Sequence, residues 1–169
     1  MDPLFMGTAA ISLFSALMMV TRRNPVYSAV WLLICFMSVA VVFLQLAASF
    51  LAAIHVLVYT GAILVLFVFV IMLLNLRDTD LGEEYPFTVR VGGAAMAAGL
   101  YGLIAWPIAM DPKLAEPLPV PPADYGTVES VGRLLFTQYG LAFELVSLLI
   151  VVAMFGAMVL AKKKPVHSS

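Results

Sequence analysis

Cysteine and histidine are nearly missing from this 169-residue sequence: Cys35 stands alone, and the two histidines are His55 and His167. That scarcity excludes a disulfide framework, a cysteine-ligated iron-sulfur cluster and a Cys/His zinc site built from this chain alone. A haem held by two histidines is excluded as well, because His167 lies in the terminal tail. Charge is equally scarce. Only 11% of the residues are Asp, Glu, Lys or Arg, against about 25% in soluble domains, and a net charge of -1 leaves no footprint for nucleic acid. Neither a G-x-G-x-x-G fingerprint nor a P-loop sequence is present, so nucleotide binding has no support.

What fills the chain instead is apolar side chains, 63% of the total, with a mean hydropathy of +1.06. Such a chain is an integral membrane protein, and its long unalternating apolar runs select helices over a closed barrel. Five spans are expected, in an all-α fold forming one membrane domain over residues 1–169. The first covers about residues 4–20 and begins too near the N-terminus, without a basic leader, to read as a cleaved signal peptide. From Val26 to Leu76 the sequence is apolar almost without a break, about 50 residues, or roughly 75 Å as one helix at 1.5 Å per residue. A bilayer needs about 20 residues per crossing, so this stretch must fold back once. Gln45-Leu-Ala-Ala-Ser49 is the plausible reversal, which gives antiparallel helices near residues 26–46 and 50–75. A charged loop, Arg77 to Glu84, precedes a fourth helix over about 89–109. Six of the ten prolines, Pro107, Pro112, Pro117, Pro119, Pro121 and Pro122, then crowd one stretch, and an extended loop is expected over 110–138. Within it, Thr127 to Phe136 reads as a short amphipathic helix with Val128, Val131 and Leu135 on one face. The fifth span covers about 141–161 and ends in Lys162-Lys163-Lys164.

Five crossings divide the basic residues unequally. Arg22, Arg23, Arg77, Arg90, Lys162, Lys163 and Lys164 fall on one side, Lys113 and Arg133 on the other. By the positive-inside rule the C-terminus is cytoplasmic, while the N-terminus and the Pro-rich loop are outside.

Ionisable residues inside spans are the default functional candidates, because each is costly unless paired or hydrated. Two occur here, His55 in the third helix and Glu144 near the outer end of the fifth. On a regular helical wheel Ala48, Ala52, His55, Tyr59, Ala62 and Leu66 form one small-and-polar stripe, which should face protein or water. Gly61 lies across the helix from it, serving either a close helix contact or a deformation of the helix. An extra residue in one turn, a π-bulge, would rotate everything downstream by about 100°. In the fourth helix Ala95, Gly99 and Gly102 make a small-residue seam suited to close packing. Glu144 shares a face with Gly140 and Ser147, and either meets a buried partner or is an interfacial carboxyl hydrogen-bonded locally. One Glu, one Tyr and one His do not make a proton path across a bilayer. Partner subunits must supply the rest of such a path, or the chain transports nothing.

The run His55-Val-Leu-Val-Tyr59-Thr-Gly61-Ala62-Ile63, continuing through Val65, Phe67, Phe69, Ile71 and Met72 to Asn75, resembles the third transmembrane helix of chain 6, or subunit J, of the proton-pumping NADH:quinone oxidoreductase, respiratory complex I. Further matches are Arg23-Asn24-Pro25-Val26, Gly132 to Thr137, Phe143-Glu144-Leu145, and Val152-Ala153-Met154 with Gly156-Ala157. The resemblance is strongest over about 24–76 and 131–160, and fades in the fourth helix and the Pro-rich loop.

It implies a five-helix, non-catalytic subunit of a bacterial inner-membrane complex, without a cofactor of its own; FMN, iron-sulfur clusters and quinone belong to partner subunits. Those partners would be the quinone-site subunit, a small three-helix subunit and the antiporter-like subunits. The resemblance also implies a π-bulge around Tyr59-Thr60-Gly61, with Tyr59, Gly61 and Val65 as a switch segment linked to proton access. The family more often has Gln or Glu where this chain has His55. Two other readings stand beside this one: a subunit of a multisubunit cation/proton antiporter, and a structural scaffold.

Overall fold

The computed structural model describes residues 3–74, 86–111, 122 and 124–162, and these are helical nearly throughout. The charged loop at Arg77 to Glu84, most of the Pro-rich stretch and the Lys163-Lys164 tail lie outside the described residues. Five helices are long and apolar enough to span a membrane: α1 (Pro3–Thr21), α2 (Pro25–Gln45), α3 (Ser49–Leu74), α4 (Phe87–Met110) and, after the short α5 (Val128–Thr137), α6 (Gly140–Ala161). Pro107 sits inside α4 rather than in the loop that follows it.

Helices α1 and α2 are joined by a turn that the Asn24-Pro25 pair dictates. Asn24 caps α2 by accepting the Val26 N–H at 3.0 Å, and Pro25 occupies the first helical position, where its missing N–H costs nothing. The two helices run antiparallel and close together because small residues line their seam. Ser15 is fully buried, Ala29 is 2% exposed, and the Ser12 hydroxyl lies 3.7 Å from the Cys35 sulfur. Water gives no hydrophobic drive between helices in lipid, so van der Waals packing and interhelical hydrogen bonds do this work. Ser28 donates to the Met19 carbonyl at 2.6 Å at one end of the seam, and the Gln45 amide donates to Thr8 at 3.1 Å at the other.

The reversal between α2 and α3 falls where the polar Gln45 and the small residues after it predict. Its geometry is a Schellman motif: the Ala48 N–H reaches the Phe43 carbonyl at 2.9 Å, and the Ala47 N–H reaches Leu44 at 3.1 Å. Glycine usually holds the left-handed position of that motif. Here Ala47 does, at φ 58°, at a cost of about 1–2 kcal/mol.

The turn is covered from outside by a second element. Gly126, also left-handed at φ 70°, packs its backbone directly on Ala47 and Ala48, and its carbonyl accepts the Phe50 N–H at 3.1 Å. A β-carbon at Gly126 would run into the Ala47 carbonyl oxygen and come 2.6 Å from the Ala48 α-carbon. Immediately afterwards Thr127 caps α5 by accepting the Ser130 N–H. The loop between α4 and α6 is thereby pinned to the α2–α3 hairpin. By contrast, α4 and α6 bury none of their residues within the chain, and their flanks are open.

Gly126→Ala should therefore lower the thermal stability of the membrane-extracted protein, whereas Ala47→Gly should raise it by about 1 kcal/mol through relief of the left-handed strain. Thermal midpoints that leave Gly126→Ala unchanged would show that the loop does not dock on the hairpin.

Candidate functional site in the third helix

Regular α geometry fails over His55–Ile63, where the backbone is a π-helix. Its last turn closes with the Leu64 N–H on the Tyr59 carbonyl, five residues back rather than four. The consequence shows in which residues are buried. Ala52, Leu64 and Ile71 are 4%, 5% and 7% exposed and face α2 together. In a regular helix Ala52 and Leu64 would stand about 120° apart; the extra residue removes about 100° of that and brings them into line.

The stripe expected from the wheel is correspondingly cut in two. Ala48 and Ala52 are buried and His55 is half-buried, as the stripe requires, but Ala62, within the π segment, and Leu66, beyond it, turn outward, Leu66 with 66% exposure. Leu64 and Ile71 take the inward places. The wheel fails because it assumes one rotation per residue throughout.

Four rings meet where the π segment faces α2. His55 stacks on Tyr59 with ring centres 4.8 Å apart and planes 17° from parallel. Phe36 meets both edge-on, at 5.5 Å from His55 and 5.8 Å from Tyr59, and Phe43 lies 5.5 Å from His55. Each such pair contributes about 0.5–1.5 kcal/mol beyond simple burial. Opposing them are two buried polar atoms with no protein partner, His55 Nε2 and Thr60 Oγ1. An unsatisfied buried group costs about 1–3 kcal/mol, so these two atoms are the locally unfavourable feature of the segment.

Tyr59, for all its ring contacts, and the remaining candidates are open on one side. Tyr59 is 46% exposed and Val65 47%. Gly61 is exposed, and a β-carbon there would meet only the Val56 carbonyl oxygen at 3.5 Å, an ordinary contact. In this register, then, the chain itself does not demand glycine at position 61. Tyr59, Gly61 and Val65 thus lie together along one helix with His55 beneath Tyr59, but Glu144 belongs elsewhere. It is exposed on α6, one turn from the helix start, in a shallow cleft with Leu141, Leu145, Ser147, Leu148 and Val151. Ser147 donates to the Glu144 backbone carbonyl at 2.7 Å. The helix N-terminus favours a negative charge at that depth. The Ala95, Gly99 and Gly102 seam is also exposed, with open space at both glycines.

Thr60, Phe36 and Phe43 belong to this site and were not singled out from sequence. The aromatic residues look like ordinary lipid-facing side chains, and only a hydroxyl inside a Tyr-x-Gly motif signals Thr60.

The chain matches the family described as NADH-ubiquinone/plastoquinone oxidoreductase chain 6 over residues 15–160. It is 33% identical to NADH-ubiquinone oxidoreductase chain 6 of Prototheca wickerhamii, with 99% of this chain and 89% of that protein covered. Identity to the NAD(P)H-quinone oxidoreductase subunit 6 of the Paulinella chromatophora chromatophore is 40%, covering 94% and 77%. NADH-quinone oxidoreductase subunit J of Rhodobacter capsulatus is 32% identical, with 90% and 77% covered.

Glu144 is exposed on a helix that its own chain leaves open, so the expectation of a polar neighbour from another chain can be tested there. Glu144→Gln keeps hydrogen-bonding capacity and should accumulate in membranes near the wild-type level. Glu144→Leu leaves that neighbour unpaired, at about 1–3 kcal/mol, and should accumulate less. Quantitative immunoblots showing equal levels of the two would reduce Glu144 to an interfacial residue without a polar partner.

Proposed function

The chain belongs to the family of NADH-quinone oxidoreductase chain 6, also called subunit J, and from that premise we propose that it couples quinone reduction to proton translocation through a change of register in α3. As a subunit of this complex, complex I, its partners are the other subunits of the complex. The π segment at Tyr59-Thr60-Gly61 is the observation that carries the proposal. In this reading the second register is the regular α ladder, and the two buried polar atoms left without a partner in the π form support a segment that can leave it. Moving between them rotates residues 64–74 by about 100° against α2. It also frees and re-engages backbone carbonyls, which inside a membrane are acceptable only where water or a side chain meets them. A segment of that kind is suited to opening and closing a path for protons.

Within this reading Tyr59, Gly61 and Val65 form the moving surface, and His55 is the titratable group under it. The chain does no redox chemistry itself. Its donor set, one cysteine engaged with Ser12 and one histidine among aromatic rings, suits neither a cluster nor a haem, so FMN, iron-sulfur clusters and quinone are assigned to partner subunits. The open flanks of α4 and α6 support extensive contact with neighbours, which we take to be the quinone-site, small three-helix and antiporter-like subunits. The complex is placed in a bacterial inner membrane, with the N-terminus of this subunit outside and its C-terminus cytoplasmic.

Gly61→Leu is tolerable in the register described here and obstructs the rotation. Overpacking of this kind costs about 1–3 kcal/mol, enough to slow proton pumping roughly fivefold or more. Assembled complex containing Gly61→Leu should therefore reduce quinone with weakened proton uptake by vesicles. Undiminished pumping would refute the switch, and failed assembly would favour packing as the role of Gly61. Orientation has its own check. A reporter fused after Lys164 should be active only in its cytoplasmic form, and a periplasmic signal would reverse the topology.

A further inference from the structure

Of the hydroxyl side chains inside the helices, Ser12, Ser28, Ser130 and Ser147 bond elsewhere, but five share one habit. Thr8, Ser15, Thr21, Ser38 and Thr137 each donate to the carbonyl four residues back, at 3.0, 2.7, 2.9, 2.9 and 2.7 Å. Thr60 breaks it: its Oγ1 is buried and bonded to nothing in the protein. The backbone explains why. In an α ladder the carbonyl four back lies beneath the threonine side chain and accepts its hydroxyl as well as the backbone N–H. For Thr60 that carbonyl belongs to Val56, and in the π ladder it has moved on by one residue: it lies beside Gly61, 3.5 Å from the position of a β-carbon there.

Resting on the register-change reading above, we propose that Thr60 is a positioning residue that sets the balance between the two registers of α3. Its hydroxyl closes onto the Val56 carbonyl in the α register and is released in the π register. His55 moves with it. The two are five residues apart, about 140° around an α-helix, but closer to one face in a ladder whose hydrogen bonds span five residues. The π register therefore gathers both unpaired polar atoms, His55 Nε2 and Thr60 Oγ1, on one side of the helix. The α register separates them and satisfies Thr60. A hydroxyl at this position opposes the π form.

The test uses assembled complex with Thr60→Val, which keeps the branched shape and removes the hydroxyl, Thr60→Ala, which removes both, and Thr60→Ser, which keeps the hydroxyl. Electron cryomicroscopy of complex frozen during turnover, with particles sorted by the register of residues 55–64, gives the α-to-π ratio directly. Loss of one hydrogen bond should lower that ratio roughly fivefold in Thr60→Val and Thr60→Ala. Thr60→Ser should keep the wild-type ratio. If wild-type particles divide between registers and the hydroxyl-free variants divide in the same proportion, the role of Thr60 is overturned while the switch stands. If wild-type particles occupy a single register throughout, both fail.

Discussion

One extra residue in the hydrogen-bond ladder of the third helix governs how the described part of this molecule packs. With the Leu64 N–H closed on the Tyr59 carbonyl, Leu64 and Ile71 take inward places in line with Ala52, and the C-terminal half of the helix is turned to match. Remove the extra residue and a different set of side chains, Ala62 and Leu66 among them, faces the same neighbour. The α2–α3 contact is therefore the place where a local backbone choice becomes a tertiary one.

Where that choice is made constrains it. In a bilayer the backbone cannot turn to bulk water, so a helix that shifts its ladder must find every displaced partner within the protein or in a few bound waters. In the π form the rings of Phe36, Phe43, His55 and Tyr59 meet one another, and His55 Nε2 and Thr60 Oγ1 are left without a protein partner. The rest of the hairpin is held firmly: Asn24 and Pro25 fix one end of α2, and the Schellman turn under Gly126 fixes the other. An α2 anchored at both ends beside a segment of α3 that departs from α geometry is what the proposed switch requires. The helices that contribute least to the fold of the chain, α4 and α6, are those left free for other subunits.

Much of this was legible in the residues. Hydropathy and bilayer thickness give five spans, the 75 Å length of the second apolar run forces a reversal, and Gln45 with its small neighbours locates it. Periodicity alone finds α5. Three features were not legible, each for a physical reason. The buried face of α3 beyond residue 59 depends on a ladder defect that changes rotation without changing composition. The left-handed Ala47 carries no local signal, because Ala is the residue least expected there. The docking of Gly126 joins positions nearly eighty residues apart, across a stretch whose prolines predict only that it is not helical. The family resemblance anticipated the π-bulge, whereas the wheel showed only a conflict between Gly61 and the stripe opposite it.

The central claim is that the register of α3 changes while the complex works. Its most direct measurement is the structure of the wild-type assembled complex in two states, resting and trapped during turnover with NADH and quinone. The account predicts the i→i+5 ladder through residues 55–63 in one state. In the other it predicts a regular α ladder, with Ala62 and Leu66 facing α2 and Leu64 turned away. An identical ladder in both states, π or α, would contradict it.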